Sequence, residues 1–248
     1  MKALWEISET DVKRWGDFVK EHENKPLPVQ RYQRNVLRKN LDITKNSVWR
    51  AIVGCQVTTQ QRSGPGSNVE RFLGSHSPIL DPLSCRKAVN LNKLIASECA
   101  KAGLRRGNKI SSYLARIFGY LEAGGWCALM DQLETLFSHT TVKKERAVVS
   151  YILSERNFPG LGEKQARNFI QWLGLSRYEI PIDSRVLKCM RKLGINFVPG
   201  ATALGDEDVY LFVQGALQEL AKRIGIYPCQ LDACIFASFD IDTDGEIG

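Results

Sequence analysis

Apolar residues recur at i, i+3 and i+4 along eight stretches of this 248-residue chain: WRAIVGCQV (49–57), LNKLIASECAKAGL (91–104), KISSYLARIFGYLEAGG (109–125), MDQLETLF (130–137), ERAVVSYILSERN (145–157), EKQARNFIQWLG (163–174), SRVLKCMRKLG (184–194) and DEDVYLFVQGALQELAKRIG (206–225). That spacing lines one face of an α-helix and fits no strand. Gly and Pro punctuate between the stretches, at GPG (64–66), GG (124–125) and PG (159–160 and 199–200). Only YEIPID (178–183) reads as extended, because Pro181 pushes the residue before it out of helical geometry. The pattern predicts a nearly all-α protein of about ten helices with no internal repeat. The short acidic tail DIDTDGEIG is expected to fray.

Composition narrows the class. Hydrophobic residues make up 44% and charged residues 25%, as in ordinary soluble globular proteins. No apolar run approaches the ~18 residues that suggest a membrane span, and MKALWEISETDVKRWGDF has charges where a signal peptide needs an apolar core. The seven cysteines are odd in number and scattered, which argues against a disulfide framework and against a zinc or iron–sulfur nest. The net charge of +7 suggests a polyanionic partner, with the positive charge concentrated in QRYQRNVLRKN (30–40) and SRVLKCMRK (184–192).

The junction FPGLGEKQARNF (158–169) carries the chemistry. Helix, FPGLG, helix is a tight αα-hairpin. Its glycines are explained structurally if they take positive φ and let the helices pack closely. They are explained functionally if the N–H groups of Gly160, Leu161 and Gly162, with the first turn of the next helix, form a seat for a phosphate. The full pattern, an apolar residue followed by PGxGxxxA with Ala166 allowing close helix contact, resembles the helix-hairpin-helix motif, which grips a DNA backbone without reading sequence. Lys164 then stands where a helix starts, although a helix N-terminus is electropositive and disfavours a cation. It is either a solvated lysine or a group used for its amine.

Asp183 follows Lys164 by nineteen residues, at the end of IPID and directly before the basic helix 184–194. The pairing GLGEK…IPIDSRV resembles the helix-hairpin-helix DNA glycosylase superfamily, and most closely its 8-oxoguanine glycosylase/lyase branch. In that superfamily a catalytic aspartate follows the hairpin, and members that also cut the strand carry a lysine at the position of Lys164. The similarity extends weakly over most of the chain, through WRAIVGCQVTTQQ, AKAGLRRGNKISSYLARI and QLDACIFASFD. The chemistry agrees with this assignment. Attack on a sugar C1′ requires an unprotonated amine, and a helix N-terminus and desolvation both favour that form. Asp183 would hold the amine and stabilise positive charge on the sugar, or serve as the N-cap of the helix that follows, or both.

The remaining site residues are expectations of lower specificity. Arg185, Lys188, Arg191 and Lys192 form one stripe, with Val186, Leu187 and Met190 facing inward; the stripe is a solvated face or a set of phosphate contacts. Arg185 stands where the family commonly has a histidine. Arg105 and Arg106, on a Gly-flanked loop, match the family's duplex wedge and its reader of the partner base. Gln56 and Thr58, with Thr59 and Gln60, end an apolar helix in groups that cap it, meet a phosphate or meet a flipped base. Asp232 and Phe236 lie one turn apart. The resemblance makes Phe236 the stacking wall of a base pocket and Asp232 its hydrogen-bonding group, where the family more often has an amide.

The resemblance thus implies a two-lobed, all-helical glycosylase with its active cleft between the lobes. Residues 46–183 would form a central lobe with the hairpin at about 145–174, and residues 1–45 and 184–248 the terminal lobe. Residues 1–45 read helical, with no counterpart of the strand-rich N-terminal domain of the larger 8-oxoguanine enzymes. The implied function is removal of an oxidised purine from duplex DNA through a lysine Schiff base, with associated cleavage at the abasic site. Alternatives are a glycosylase for another damaged base, such as an oxidised pyrimidine, or a non-catalytic DNA-binding hairpin protein. No metal or other cofactor is implied. The expected setting is a monomer acting on DNA inside the cell, nucleoid-associated or nuclear.

Overall fold

The computed structural model describes residues 4–154, 156–195 and 197–239, and the acidic tail at 240–248 lies outside the described residues. Thirteen α-helices form among them, and no strand. In chain order these are α1 Glu9–His22, α2 Pro26–Arg31, α3 Lys45–Val57, α4 Asn68–Leu73, α5 Pro82–Lys87, α6 Leu91–Lys101, α7 Gly107–Tyr120, α8 Trp126–Glu134, α9 Val142–Ser154, α10 Glu163–Trp172, α11 Ser184–Lys192, α12 Glu207–Ile224 and α13 Pro228–Ala237. The eight periodic stretches became α3 and α6–α12. The helices beyond the expected ten are mainly the six-residue pieces α2, α4 and α5, which are too short to display a period. None of the described helices is long and apolar enough to cross a membrane.

The chain divides into two compact units: residues 41–175, and residues 1–40 together with 176–248. In unit 41–175, α6 packs along α7, and α10 packs on α9 and α3. Trp49, Ile52, Leu114, Ile117, Leu121, Phe169 and Ile170 fill the core, all essentially without exposure. Burying each such side chain contributes about 1.5–3 kcal/mol. The crossing of α3 and α10 is close: a Cβ at Gly54 would lie 1.6 Å from Cζ3 of Trp172.

The other unit joins the two ends of the chain. Helix α1 packs on α12, and α13 packs on α2, α11 and α12. Its core holds Trp15, Met190, Tyr210, Val213, Leu217, Leu231 and Ile235. The division falls at 175/176, ahead of the 183/184 expected from sequence. The physical reason is the extended segment after α10, whose Ile180 and Ile182 are buried in this core with Trp15 and Tyr210. The Tyr210 hydroxyl accepts from the Ile182 N–H at 2.7 Å and donates to the Ile180 carbonyl at 2.7 Å. Gln214 adds a further bond by accepting from the Ile180 N–H. The root of Asp183 is therefore fixed by α12.

Candidate active site

The hairpin turn is built around Pro159 and Gly160. The Leu161 N–H donates to the Phe158 carbonyl at 3.2 Å, closing a four-residue turn. Pro159 takes its second position and Gly160 its third, with φ of +81°, the arrangement of a type II turn. Gly160 is required on two counts. A side chain at that φ is strained, and a Cβ would sit 2.6 Å from Cδ2 of Tyr113 and 2.8 Å from Oε1 of Gln56. Gln56 is buried, and its Nε2 donates to the Pro159 carbonyl at 2.8 Å. This side chain, which the sequence offers to a helix end, a phosphate or a flipped base, braces the hairpin. Thr58 bonds the carbonyls of Gly54 and Cys55 in its own helix, the helix-end role that sequence had left open.

The N–H groups of Gly160, Gly162 and Glu163 have no acceptor among the described residues. Gly162 is the N-cap of α10, with extended backbone and no capping side chain. These groups form an electropositive, solvent-facing notch able to hold a phosphate oxygen. Leu161 does not share the role, because its N–H closes the turn and its side chain is buried. Two neighbours on α7 were missed in the sequence. Tyr113 packs on Gly160, and Lys109 stands over the Tyr113 ring at 5.5 Å.

Lys164 is the second residue of α10 and is half-buried. The helix turn that carries it is locked on both sides. Gln165 Nε2 donates to the Thr59 hydroxyl at 2.8 Å, and Glu163 pairs at 2.5 Å with Arg167, which is buried. Beneath lies Cys55. Burial pushes its thiol well above the ordinary range, and the nearby Lys164 offsets only part of that rise.

The Arg105–Arg106 loop is tied to the end of α3. The Arg105 N–H donates to Gln61 Oε1 at 2.9 Å, and Arg106 Nη1 reaches the Thr59 carbonyl at 3.4 Å. The Arg105 side chain is exposed. Arg106 and Gln60 both have left-handed backbone, with φ of +64° and +58°. For non-glycine residues that conformation persists only where surroundings enforce it, and it concentrates at functional sites.

In the terminal unit, Asp183 is the N-cap of α11. Its Oδ1 accepts from the N–H groups of Arg185 at 2.8 Å and Val186 at 3.3 Å. Its Oδ2 accepts from Arg185 Nε at 3.2 Å and Nη2 at 2.9 Å. Arg185 thereby leaves the basic stripe, and its Cζ lies 3.6 Å from the centroid of the Phe236 ring. Arg191 turns its Nη2 to the carbonyls of Val198 and Pro199. Lys188 and Lys192 remain exposed on α11. Asp232 is buried on α13, where Arg31 of α2 meets its Oδ2 at 3.3 Å.

Comparison with solved structures places this arrangement of helices. The 8-oxoguanine DNA glycosylase of Thermotoga maritima superposes with a TM-score of 0.66 at 17% identity, covering 92% of this chain and 97% of that one. The 8-oxoguanine DNA glycosylase of Methanocaldococcus jannaschii gives 0.66 at 15% identity, over 91% of each chain. The same archaeal glycosylase/lyase in complex with a 15-mer DNA containing 8-oxoguanine gives 0.66 at 15% identity, over 90% of this chain and 96% of that one. The chain has the fold of the 8-oxoguanine DNA glycosylases. No family model matches the sequence, and no curated protein does either. Within that fold, Gly160, Gly162 and Lys164 are gathered at the start of α10, and Asp183, Arg185 and Phe236 at the start of α11. Arg105 and Arg106 lie on the loop before α7, where Arg106 meets Thr59, the residue that also accepts from Gln165 of α10, and Asp232 is engaged with Arg31.

Proposed function

We propose that the chain is a DNA base-excision glycosylase with abasic-site lyase activity that removes an oxidised purine, 8-oxoguanine, from duplex DNA. The observation that carries this reading is the start of α10. A notch of N–H groups without acceptors among the described residues precedes a lysine whose helical turn is clamped to Thr59, just past the end of α3. The notch suits a backbone phosphate, so an amine one residue beyond it is positioned for the sugar of a strand held there. The likeness to glycosylases of this fold, one of them in complex with 8-oxoguanine DNA, supports the choice of substrate.

The roles follow from the groups present. The target nucleotide leaves the stack, since C1′ is otherwise out of reach, at a cost of a few kcal/mol that is least for damaged pairs. As the N-glycosidic bond breaks, positive charge develops on the sugar, and the Asp183 carboxylate stabilises it. The unprotonated amine of Lys164 bonds to C1′, the freed base takes up a proton, and loss of the ring oxygen bond gives the Schiff base. Abstraction of a C2′ proton then expels the 3′ phosphate by β-elimination. The exposed Lys188 supplies a phosphate contact without base preference.

The test is borohydride trapping on duplexes carrying 8-oxoguanine, an oxidised pyrimidine or a preformed abasic site. A covalent adduct with the wild type that is lost in Lys164→Gln is expected. Tight DNA binding with no adduct on any duplex would leave a non-catalytic hairpin protein as the answer.

A further inference from the structure

Resting on the glycosylase reading, we propose that Arg185 is the stacking platform of the base site, and that its charge selects neutral oxidised bases over cationic alkylated ones. The ring of Phe236 is the aromatic wall expected for a base, but one face is already covered by the Arg185 guanidinium at 3.6 Å, which is van der Waals contact. The guanidinium is also held edge-on by Asp183 Oδ2, through Nε at 3.2 Å and Nη2 at 2.9 Å. Asp183 is itself fixed by its capping bonds to the Arg185 and Val186 N–H groups. Moving the guanidinium aside breaks two charge-assisted bonds and a cation–π contact together. A plane held at three points is a surface to bind against rather than a lid to open.

About a third of the Arg185 side chain, 31%, remains exposed, and its Nη1 has no acceptor among the described residues. The unit therefore presents a planar cation with an available N–H donor. Guanidinium planes stack on nucleobases, and a positive plane favours an electron-rich ring. A carbonyl oxygen on the ring edge offers the acceptor that Nη1 needs. Oxidised purines are neutral and carry such carbonyls. A base alkylated to a fixed positive charge, such as 7-methylguanine, meets a like charge at stacking distance, an element that repels the wrong substrate. Lysine could not substitute, because it has neither the plane nor the fork.

The experiment compares single-turnover release of 8-oxoguanine and of 7-methylguanine from duplexes by wild type, Arg185→Gln and Arg185→Lys. Trapping on a preformed abasic site normalises the Lys164 step, and thermal unfolding confirms folding. Gln keeps a donor for Asp183 while removing the charge and half the plane. Release of 8-oxoguanine should fall about tenfold more than abasic trapping in both variants, a change of one decade in rate. The preference for 8-oxoguanine over 7-methylguanine should narrow about tenfold in Arg185→Gln only. Unchanged release and preference in both folded variants overturn the platform while leaving the glycosylase reading intact. If Arg185→Gln does not fold, Arg185→Lys decides: wild-type release of 8-oxoguanine by it overturns the proposal. A wild type inert on every duplex overturns the glycosylase reading and the platform with it.

Discussion

The two glycines of the hairpin differ in the structure, and substituting each by alanine separates architecture from function. Gly160 has φ of +81°, and a Cβ there would meet Tyr113 at 2.6 Å and the Gln56 carboxamide at 2.8 and 2.9 Å. Left-handed backbone costs an alanine about 1–2 kcal/mol. Relieving the contacts pushes Gln56 off the Pro159 carbonyl, losing a bond of about 1 kcal/mol, or overpacks the turn by about 1–3 kcal/mol. Gly160→Ala should therefore cost roughly 2–5 kcal/mol, which for a chain of this size lowers Tm by about 4–20 °C. Gly162 has φ of −79° and nothing within 4 Å of the added Cβ. Alanine there weakens the N-cap by about 1 kcal/mol at most, yet its methyl stands beside the N–H groups that face solvent. Gly162→Ala should hold its Tm within about 4 °C and lose about tenfold in affinity for undamaged duplex, one unit of RT ln 10. Thermal unfolding and mobility-shift titration at one salt concentration measure the two effects. A Gly160→Ala protein as stable as wild type refutes the type II turn argument. A Gly162→Ala protein that binds duplex like wild type refutes the phosphate notch.

Other substitutions test single contacts. Asp183→Asn retains a capping oxygen, and Asn caps about as well as Asp, but its amide turns a donor toward the Arg185 guanidinium, so it should unfold about 1–2 kcal/mol more easily than wild type while base release drops at least tenfold; Asp183→Ala should lose the cap as well and cost more. Removing the guanidinium in Arg31→Leu leaves the buried Asp232 with less compensation and should destabilise by about 3 kcal/mol in urea titration; a loss under about 0.5 kcal/mol would mean the pair is not formed. Burial pushes the Cys85, Cys189 and Cys234 thiols up to about 12 and Cys99 to about 11. Because the unfolded thiols titrate near ~8.5, the unfolded state binds fewer protons above that pH, and stability should fall as pH rises from about 8.5 toward 12. Alkylation of the folded protein at pH 8 should label the exposed Cys127 ahead of the buried cysteines, as mass spectrometry of the peptides can show.

What could be read from sequence was whatever a local rule enforces. FPGLG announced its turn because Pro at the second position and Gly at the third leave few alternatives. Asp before SRVLKCMRK announced a cap, and the buried Val186, Leu187 and Met190 follow from spacing alone. The contacts that give those elements their context were not legible. Gln56 braces Pro159 across 103 residues, and Tyr113 reaches Gly160 from another helix; neither leaves a mark on its own neighbours in the chain. The alternation of Ile180 and Ile182 shows that one side of the segment is buried, but not which core receives it, so the division of the chain was expected eight residues late. Arg185 fits the stripe of α11 by period, and only the proximity of Phe236 on α13 reveals that it points elsewhere.

Two of the positions at which the chain departs from the family its sequence resembles, Arg185 and Asp232, are best understood together. Asp232 is a buried charge, which is not tolerated in isolation, and Arg185 is a partly exposed one. Each is answered within the same unit: Arg185 by Asp183, and Asp232 by Arg31 at 3.3 Å. Phe236 lies one helical turn from Asp232 on α13 and carries the Arg185 plane. Reverting one member alone is therefore the wrong experiment for recovering a histidine-type site. Arg185→His would leave Asp183 with a single ring nitrogen in place of a fork, while Arg31 and Asp232 remained locked together behind α13. If the platform is real, Arg185→His should retain part of the stacking because imidazole is planar. It should also lose discrimination against cationic bases as pH rises above ~6.5, where the ring becomes neutral. A preference that stays the same across pH 5.5 to 8 in that variant would show that charge at position 185 does not choose the base.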